Sequence, residues 1–218
     1  SLWRTPVDRF LGIHGLFLFV IMSFLLYQAR DIIWDLVLSV RFREHSPAIP
    51  RIRWMKICVC VGLLCAVFFG FAGFWNVTLL LVILIMTGIV AWKVFASKGT
   101  NSAYEAVPLF ILGLALFIGI GVDLVRVEGD IGRMNTFFKY YLEIWVLLSI
   151  VSSYMLWRLG TSGFLERILK IGSVTWVFVL VVLVGSSLIY TVLGTHARIS
   201  DRFTQGIFSL NGMEYMLY

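Results

Sequence analysis

Six apolar stretches divide this chain, and each approaches the roughly 20 residues that a helix needs to cross the hydrocarbon core of a bilayer. That feature restricts the fold more than any motif does. Charged residues make up 14% of the sequence, against about 25% in soluble domains, and 60% is hydrophobic. With a mean hydropathy of +0.94, the chain reads as an integral membrane protein in contact with the lipid bilayer. The expected fold is all-α, a polytopic membrane helix bundle of about six transmembrane helices plus one interfacial amphipathic helix.

The first span is expected over Phe10 to Gln28. Behind it, Ile32, Ile33, Leu36, Val37 and Val40 recur at helical spacing between the charges of Arg30 to Arg43, the pattern of an amphipathic helix at the interface. Pro47 and Pro50 break the chain before a second span, Ile57 to Phe71. The turn Ala72-Gly73-Phe74-Trp75-Asn76 leads into a third, Val77 to Phe95, as a tight hairpin. Ser97 to Ser102 is a polar loop. The fourth span covers Ala106 to Val125, with Pro108 in its first turn, where a missing N–H is harmless. The fifth runs from Phe137 to Leu156 and the sixth from Gly172 to Leu193, joined by a loop, Arg158 to Lys170, in which Gly160, Ser162 and Gly163 mark a turn. Trp54, Trp75, Trp92 and Trp157 fall near span ends, as an aromatic belt requires.

The segment Thr195 to Tyr218 is too polar to span. Residues 1–194 are therefore expected to form the six-span bundle, and residues 195–218 to begin an extracytoplasmic segment. The chain opens on Ser1-Leu2-Trp3 and closes on Tyr215-Met216-Leu217-Tyr218, so it reads as part of a longer protein whose remainder is an expected partner.

The net charge is +6, but Lys and Arg flank the apolar runs instead of forming a basic face, so nucleic acid is not an expected partner. They are in excess on the side that carries Arg30, Arg41, Arg43, Arg51, Arg53 and Lys56, which is expected to be cytoplasmic. Residues 128–141 and the C-terminal tail then lie on the outer face of a multi-pass protein of the cell membrane. Cys58, Cys60 and Cys65 share the second span without a CxxC pair or a nearby His, and read as buried small hydrophobes. His14, on an apolar face of the first span, reads as a histidine hydrogen-bonded within the bundle.

Polar chemistry concentrates between Glu128 and Tyr141. Asn135 or Thr136 is placed to cap the fifth span, whose first backbone N–H groups then point at the interface. Such a terminus attracts phosphate, and Arg133 and Lys139 add positive charge beside it. Asn135, Lys139 and Glu143 follow at i, i+4 and i+8, one polar stripe drifting about 40° per step. Tyr140 and Tyr141 are placed to stack on a sugar or to sit at headgroup level. Glu128 and Asp130 could bind a divalent cation or act as acid and base, although no third ligand is identifiable and no metal site is assigned. The bland alternative is structural: Lys139 with Glu143 as an i, i+4 ion pair, Asp123 paired with Arg126, and Arg133 snorkelling to the surface.

The run Arg133-Met134-Asn135-Thr136-Phe137-Phe138-Lys139-Tyr140-Tyr141, preceded by Glu128 and Asp130 and followed by Trp145, resembles the RMNTxFK-type motif of the "YYY" membrane proteins of archaea and Chloroflexi, a DUF2298 family. Arg4-Thr5-Pro6 ahead of Gly15-Leu16-Phe17 and the segment Leu210-Asn211-Gly212-Met213-Glu214-Tyr215-Met216 are similar to two further stretches of that family. Asn211 stands where Asp is expected and Glu143 where an amide is usual. The resemblance implies the C-terminal part of a sugar transferase of GT-C-like architecture. It also implies a polyprenyl-phosphate-linked sugar donor used on the extracytoplasmic face, and a catalytic carboxylate in an early external loop that is absent here. The substrate-binding residues expected on this basis are Arg133, Asn135, Lys139, Tyr140, Tyr141, Glu128 and Asp130. Two other classes compete: a transporter or flippase module for a lipid-linked or anionic substrate, and a non-catalytic membrane scaffold.

Overall fold

A computed structural model describes residues 4–41, 50–96, 102–125, 133–168 and 170–202. Among these residues every regular element is a helix: α1 (Val7–Arg41), α2 (Pro50–Phe71), α3 (Trp75–Ala96), α4 (Ser102–Leu124), α5 (Met134–Thr161), α6 (Phe164–Arg167) and α7 (Lys170–Arg202). The fold is an all-α membrane bundle, as the apolar runs require. Five helical segments are long and apolar enough to cross a membrane, namely Val7–Arg30, Trp75–Ala96, Tyr104–Leu124, Met134–Thr161 and Gly172–Ser200, and α2 adds a shorter one, Met55–Phe71.

The chain divides into two compact units, Ser1–Ser173 and Val174–Tyr218. In the first, α1 packs on α3 and α5, α3 on α4, and α4 on α5, so four helices close a ring around one core, while α2 joins it through α3. The stripe that α1 contributes is Phe10, His14, Leu18, Ile21, Leu25 and Ala29, and that of α5 is Ile144, Leu148, Val151, Met155 and Leu159. Steps of three and four keep each stripe on one side of its helix. Small residues let the backbones approach, the usual device of helix packing in lipid, where no hydrophobic driving force separates helix from hydrocarbon. A Cβ on Gly119 of α4 would stand 2.9 Å from the Leu80 Cδ1 of α3, and one on Gly62 of α2 would stand 2.9 Å from the Ile85 Cγ1 of α3. The outward surface is apolar, with Phe68, Phe117 and Phe138 all exposed.

In the second unit, the Ser186 and Ser187 hydroxyls donate to the Leu183 carbonyl at 2.8 and 3.0 Å, and Thr191 donates to the Ser187 carbonyl at 3.2 Å. Each bond stays within one turn of α7, which lets these polar side chains sit in an apolar helix without a partner elsewhere.

The amphipathic stretch after Arg30 is helical and continues α1 without a break to Arg41. Pro108 is not in the first turn of its helix: α4 already starts at Ser102, so the proline lies inside and the Tyr104 carbonyl lacks its usual donor. The cysteines are not buried either. Cys58, Cys60 and Cys65 are all exposed, because α2 has helix contact on only one of its sides.

Candidate functional site

With α1, α3 and α5 running one way and α4 the other, four chain positions come to one end of the ring. Thr5 precedes α1, Asn76 is the second residue of α3, Asp123 lies at the end of α4, and Arg133 opens α5. Asp123 is the hub. Its Oδ1 accepts the Thr5 backbone N–H at 3.2 Å, the Thr5 hydroxyl at 2.5 Å and the Arg133 Nη2 at 3.2 Å, and its Oδ2 accepts the Asn76 amide at 2.8 Å. Three donors crowd Oδ1, whereas Oδ2 takes a single one of its two possible bonds. The Arg133 and Asp123 side chains are only 4% and 2% exposed.

Arg133 is bound on two further sides: Nη2 also donates to the Val122 carbonyl, and the guanidinium lies over the Phe137 ring at 4.6 Å. The network extends to Tyr141, whose hydroxyl donates to the Thr5 Oγ1 at 2.9 Å. Around the Tyr141 ring stand Phe10 at 5.8 Å, His14 at 5.7 Å and Phe137 at 5.0 Å. His14 is fully buried, and among the described residues neither of its ring nitrogens has a hydrogen-bond partner; the Asn76 Oδ1 is in the same position. The expectation of a hydrogen-bonded His14 is therefore corrected. The imidazole is held by ring packing, with Phe10 at 4.6 Å.

The cap of α5 also differs from expectation. Arg133 itself is the N-cap, with φ 70° and ψ 10° and no side-chain capping bond, and the helix begins at Met134, ahead of Asn135 and Thr136. Arg133 is the one described non-glycine residue in the left-handed region. That conformation costs of order 1 kcal/mol and persists where the surroundings over-determine it. Here the surroundings are the buried carboxylate and the carbonyl that hold the side chain.

Those of the expected site residues that are described face different ways. Arg133 and Tyr141 turn into the network, Tyr140 is half-buried, and Asn135, Lys139 and Glu143 lie exposed on the outside of α5. Lys139 and Glu143 make no ion pair among the described residues, and Asp123 pairs with Arg133. Arg126, Glu128 and Asp130 lie outside the described residues. No group of three His, Cys, Asp or Glu suited to a metal occurs among the described residues. Sequence reasoning missed Thr5, Asn76 and the central role of Asp123. An acid and a base ten residues apart, at the ends of consecutive spans, were the available signal for the ion pair. Thr5 stood out only within the Arg4-Thr5-Pro6 stretch of the family resemblance, and Asn76 carried none.

With three donors on Oδ1 and one on Oδ2, the Asp123 carboxylate is engaged by the protein's own groups. Its chemical role is to fasten four helix ends together. The fold and this clasp define a polytopic helical membrane protein whose ring is locked at one end by a buried, hydrogen-bonded ion pair. The chain belongs to the DUF2298 family, described as uncharacterized membrane protein, which matches residues 2–148. Every residue of the clasp, from Thr5 to Tyr141, falls within the matched segment. No curated protein and no solved structure matches the chain.

Proposed function

We propose that the chain is part of a membrane-embedded glycosyltransferase that uses a polyprenyl-phosphate-linked sugar donor on the extracytoplasmic face of the cell membrane. The observation that carries this reading is the exposed placement of Asn135 and Lys139, one helical turn apart, at the start of a helix whose end is held by Arg133 and Asp123. An ammonium group beside a helix N-terminus suits a phosphate. Lys139 and Asn135 take the donor phosphate, and buried Arg133 positions the helix that presents them. Half-buried Tyr140 lies beside the sugar. Glu128 and Asp130, in the link between α4 and α5, orient the acceptor or a divalent cation. Negative charge developing on the leaving phosphate is stabilised electrostatically, which in many enzymes is the largest source of rate enhancement. The catalytic carboxylate comes from the remainder of the longer chain.

A transporter with a midplane pathway fits less well, because the two described ion pairs, Asp123 with Arg133 and Glu105 with Arg158, sit at the ends of the spans. The test is glycosyl transfer from a polyprenyl-phosphate sugar by the full-length protein in vesicles. Lys139→Glu is expected to lower the rate at least about tenfold, the scale of one charge-assisted hydrogen bond. Unchanged transfer would remove Lys139 from the site. Substrate uptake by proteoliposomes without any transfer would favour the transporter.

A further inference from the structure

Beside the Asp123 clasp, the residues that lead into α1 and the turn that leads into α3 enclose an open pocket of about 400 Å³, lined by Arg4, Thr5, Asp8, Gly73 and Trp75. Small-ligand sites span about 300–1,000 Å³. The clasp fixes both walls. Thr5, next to Arg4, and Asn76, next to Trp75, donate to the two oxygens of the same buried carboxylate. Arg4 is anchored on the second wall: its guanidinium lies over the Phe74 ring at 4.2 Å, and its Nη1 rests against Gly73, where any side chain would collide with it.

Arg4 and Asp8 line this one pocket with opposite charges, yet neither makes an ion pair among the described residues. An aromatic face attracts the guanidinium but leaves its charge and its N–H donors in place. Two opposite charges that share a cleft without meeting complement a ligand that carries both, an anionic group for the guanidinium fork and an ammonium for the carboxylate. A purely anionic ligand would meet Asp8, and a purely cationic one Arg4. Trp75 adds a third element, since it is 66% exposed and an indole is the best aromatic partner for a cation. The pocket also has a defined depth. Arg4 stands just ahead of the membrane-crossing segment Val7–Arg30, and Trp75 opens the segment Trp75–Ala96, which sets both at the level of lipid headgroups.

We infer that Arg4, Asp8 and Trp75 form a binding site for a zwitterionic phosphoethanolamine group, supplied by a phospholipid headgroup or by free glycerophosphoethanolamine. The phosphate sits on Arg4, and the ammonium sits between Asp8 and Trp75. The site does not depend on the proposed transferase activity.

The test is native mass spectrometry of the full-length protein in detergent with phosphatidylethanolamine or phosphatidylglycerol added, two lipids that share the phosphate and differ in the ammonium. Wild-type protein is expected to retain phosphatidylethanolamine in preference. Asp8→Asn and Trp75→Leu should each cut that preference several-fold, and Trp75→Phe should keep part of it, whereas Arg4→Gln should weaken retention of both lipids. Displacement of bound phosphatidylethanolamine by millimolar glycerophosphoethanolamine would assign the headgroup alone as the group read. Retention against that competitor would assign the headgroup together with its acyl chains. Equal retention of the two lipids by wild type, or an Asp8→Asn/Trp75→Leu double variant that melts like wild type and keeps the full preference, would overturn the site.

Discussion

Asp123, the penultimate residue of α4, accepts a hydrogen bond from Arg133, the residue that opens α5, at 3.2 Å, with both side chains almost fully buried. The pair closes the link between two consecutive helices and draws Thr5 and Asn76 to the same carboxylate. Desolvating two charges is expensive, and the extra donors on Asp123 and the second acceptor for Arg133 are what offset that cost.

Removing either partner leaves the other charge buried. Asp123→Ala and Arg133→Ala are each expected to destabilise the detergent-solubilised protein by about 3–5 kcal/mol. Asp123→Ala combined with Arg133→Ala should cost far less than the two losses added, because no charge is then stranded. Thermal or denaturant unfolding of the four proteins measures the coupling, and additive losses would show that the two residues act independently.

Tyr141 reaches the carboxylate only through Thr5. Tyr141→Phe removes one hydrogen bond at the edge of the network and should cost about 1 kcal/mol. Thr5→Val removes both the acceptor of that bond and a donor to Asp123, and should cost more. The reverse order in unfolding midpoints would contradict the chain of bonds from Tyr141 through Thr5 to Asp123.

Among the described residues His14 has no hydrogen bond to lose. Replacing an unpartnered buried imidazole with an apolar side chain of similar size removes a desolvated polar group, so His14→Leu should leave stability unchanged or raise it. A marked fall in melting temperature would reveal a polar partner for the ring.

Two glycines of α4 should respond with opposite signs. At Gly119 an added methyl group meets Leu80 at 2.9 Å, so Gly119→Ala is expected to cost about 1–3 kcal/mol through overpacking. At Gly113 nothing lies within 4 Å, and Gly113→Ala should stabilise the helix by about 0.5–1 kcal/mol. Unfolding midpoints that shift in the same direction would argue against the close approach of α3 and α4.

Lys139 offers the sharpest separation of function from stability. It is exposed and makes no ion pair among the described residues, so Lys139→Glu should leave stability within about 0.5 kcal/mol of wild type, the usual range for such surface changes. Loss of sugar transfer in that stable variant would attribute the effect to the site.

Much of the architecture is legible in one dimension, because the requirement to satisfy every backbone group in lipid acts on runs of residues. The third span is expected over Val77 to Phe95 and α3 covers Trp75–Ala96. The hairpin through Gly73 appears as expected, with φ 79° at that glycine. Helix ends are less legible. Residues 30–41 prolong α1, α4 starts ahead of Pro108, and Arg133 replaces Asn135 as the cap of α5. At α5 a buried side-chain partner outweighs the local residue preference.

The candidate site divides along the same line. Asn135 and Lys139 share an exposed face because their spacing of four is a property of any helix. Whether Arg133 faces a ligand or the core depends on Asp123, whose position beside it follows from how α4 and α5 pack. Hydropathy alone determined that this chain crosses a membrane as helices and roughly where it does so, since hydrocarbon admits few ways to satisfy a backbone. The tertiary structure decided which polar residues are paired inside and which remain outside, because Thr5 and Asn76 are far in sequence from Asp123 and Arg133 and reach them only when four helices close into a ring.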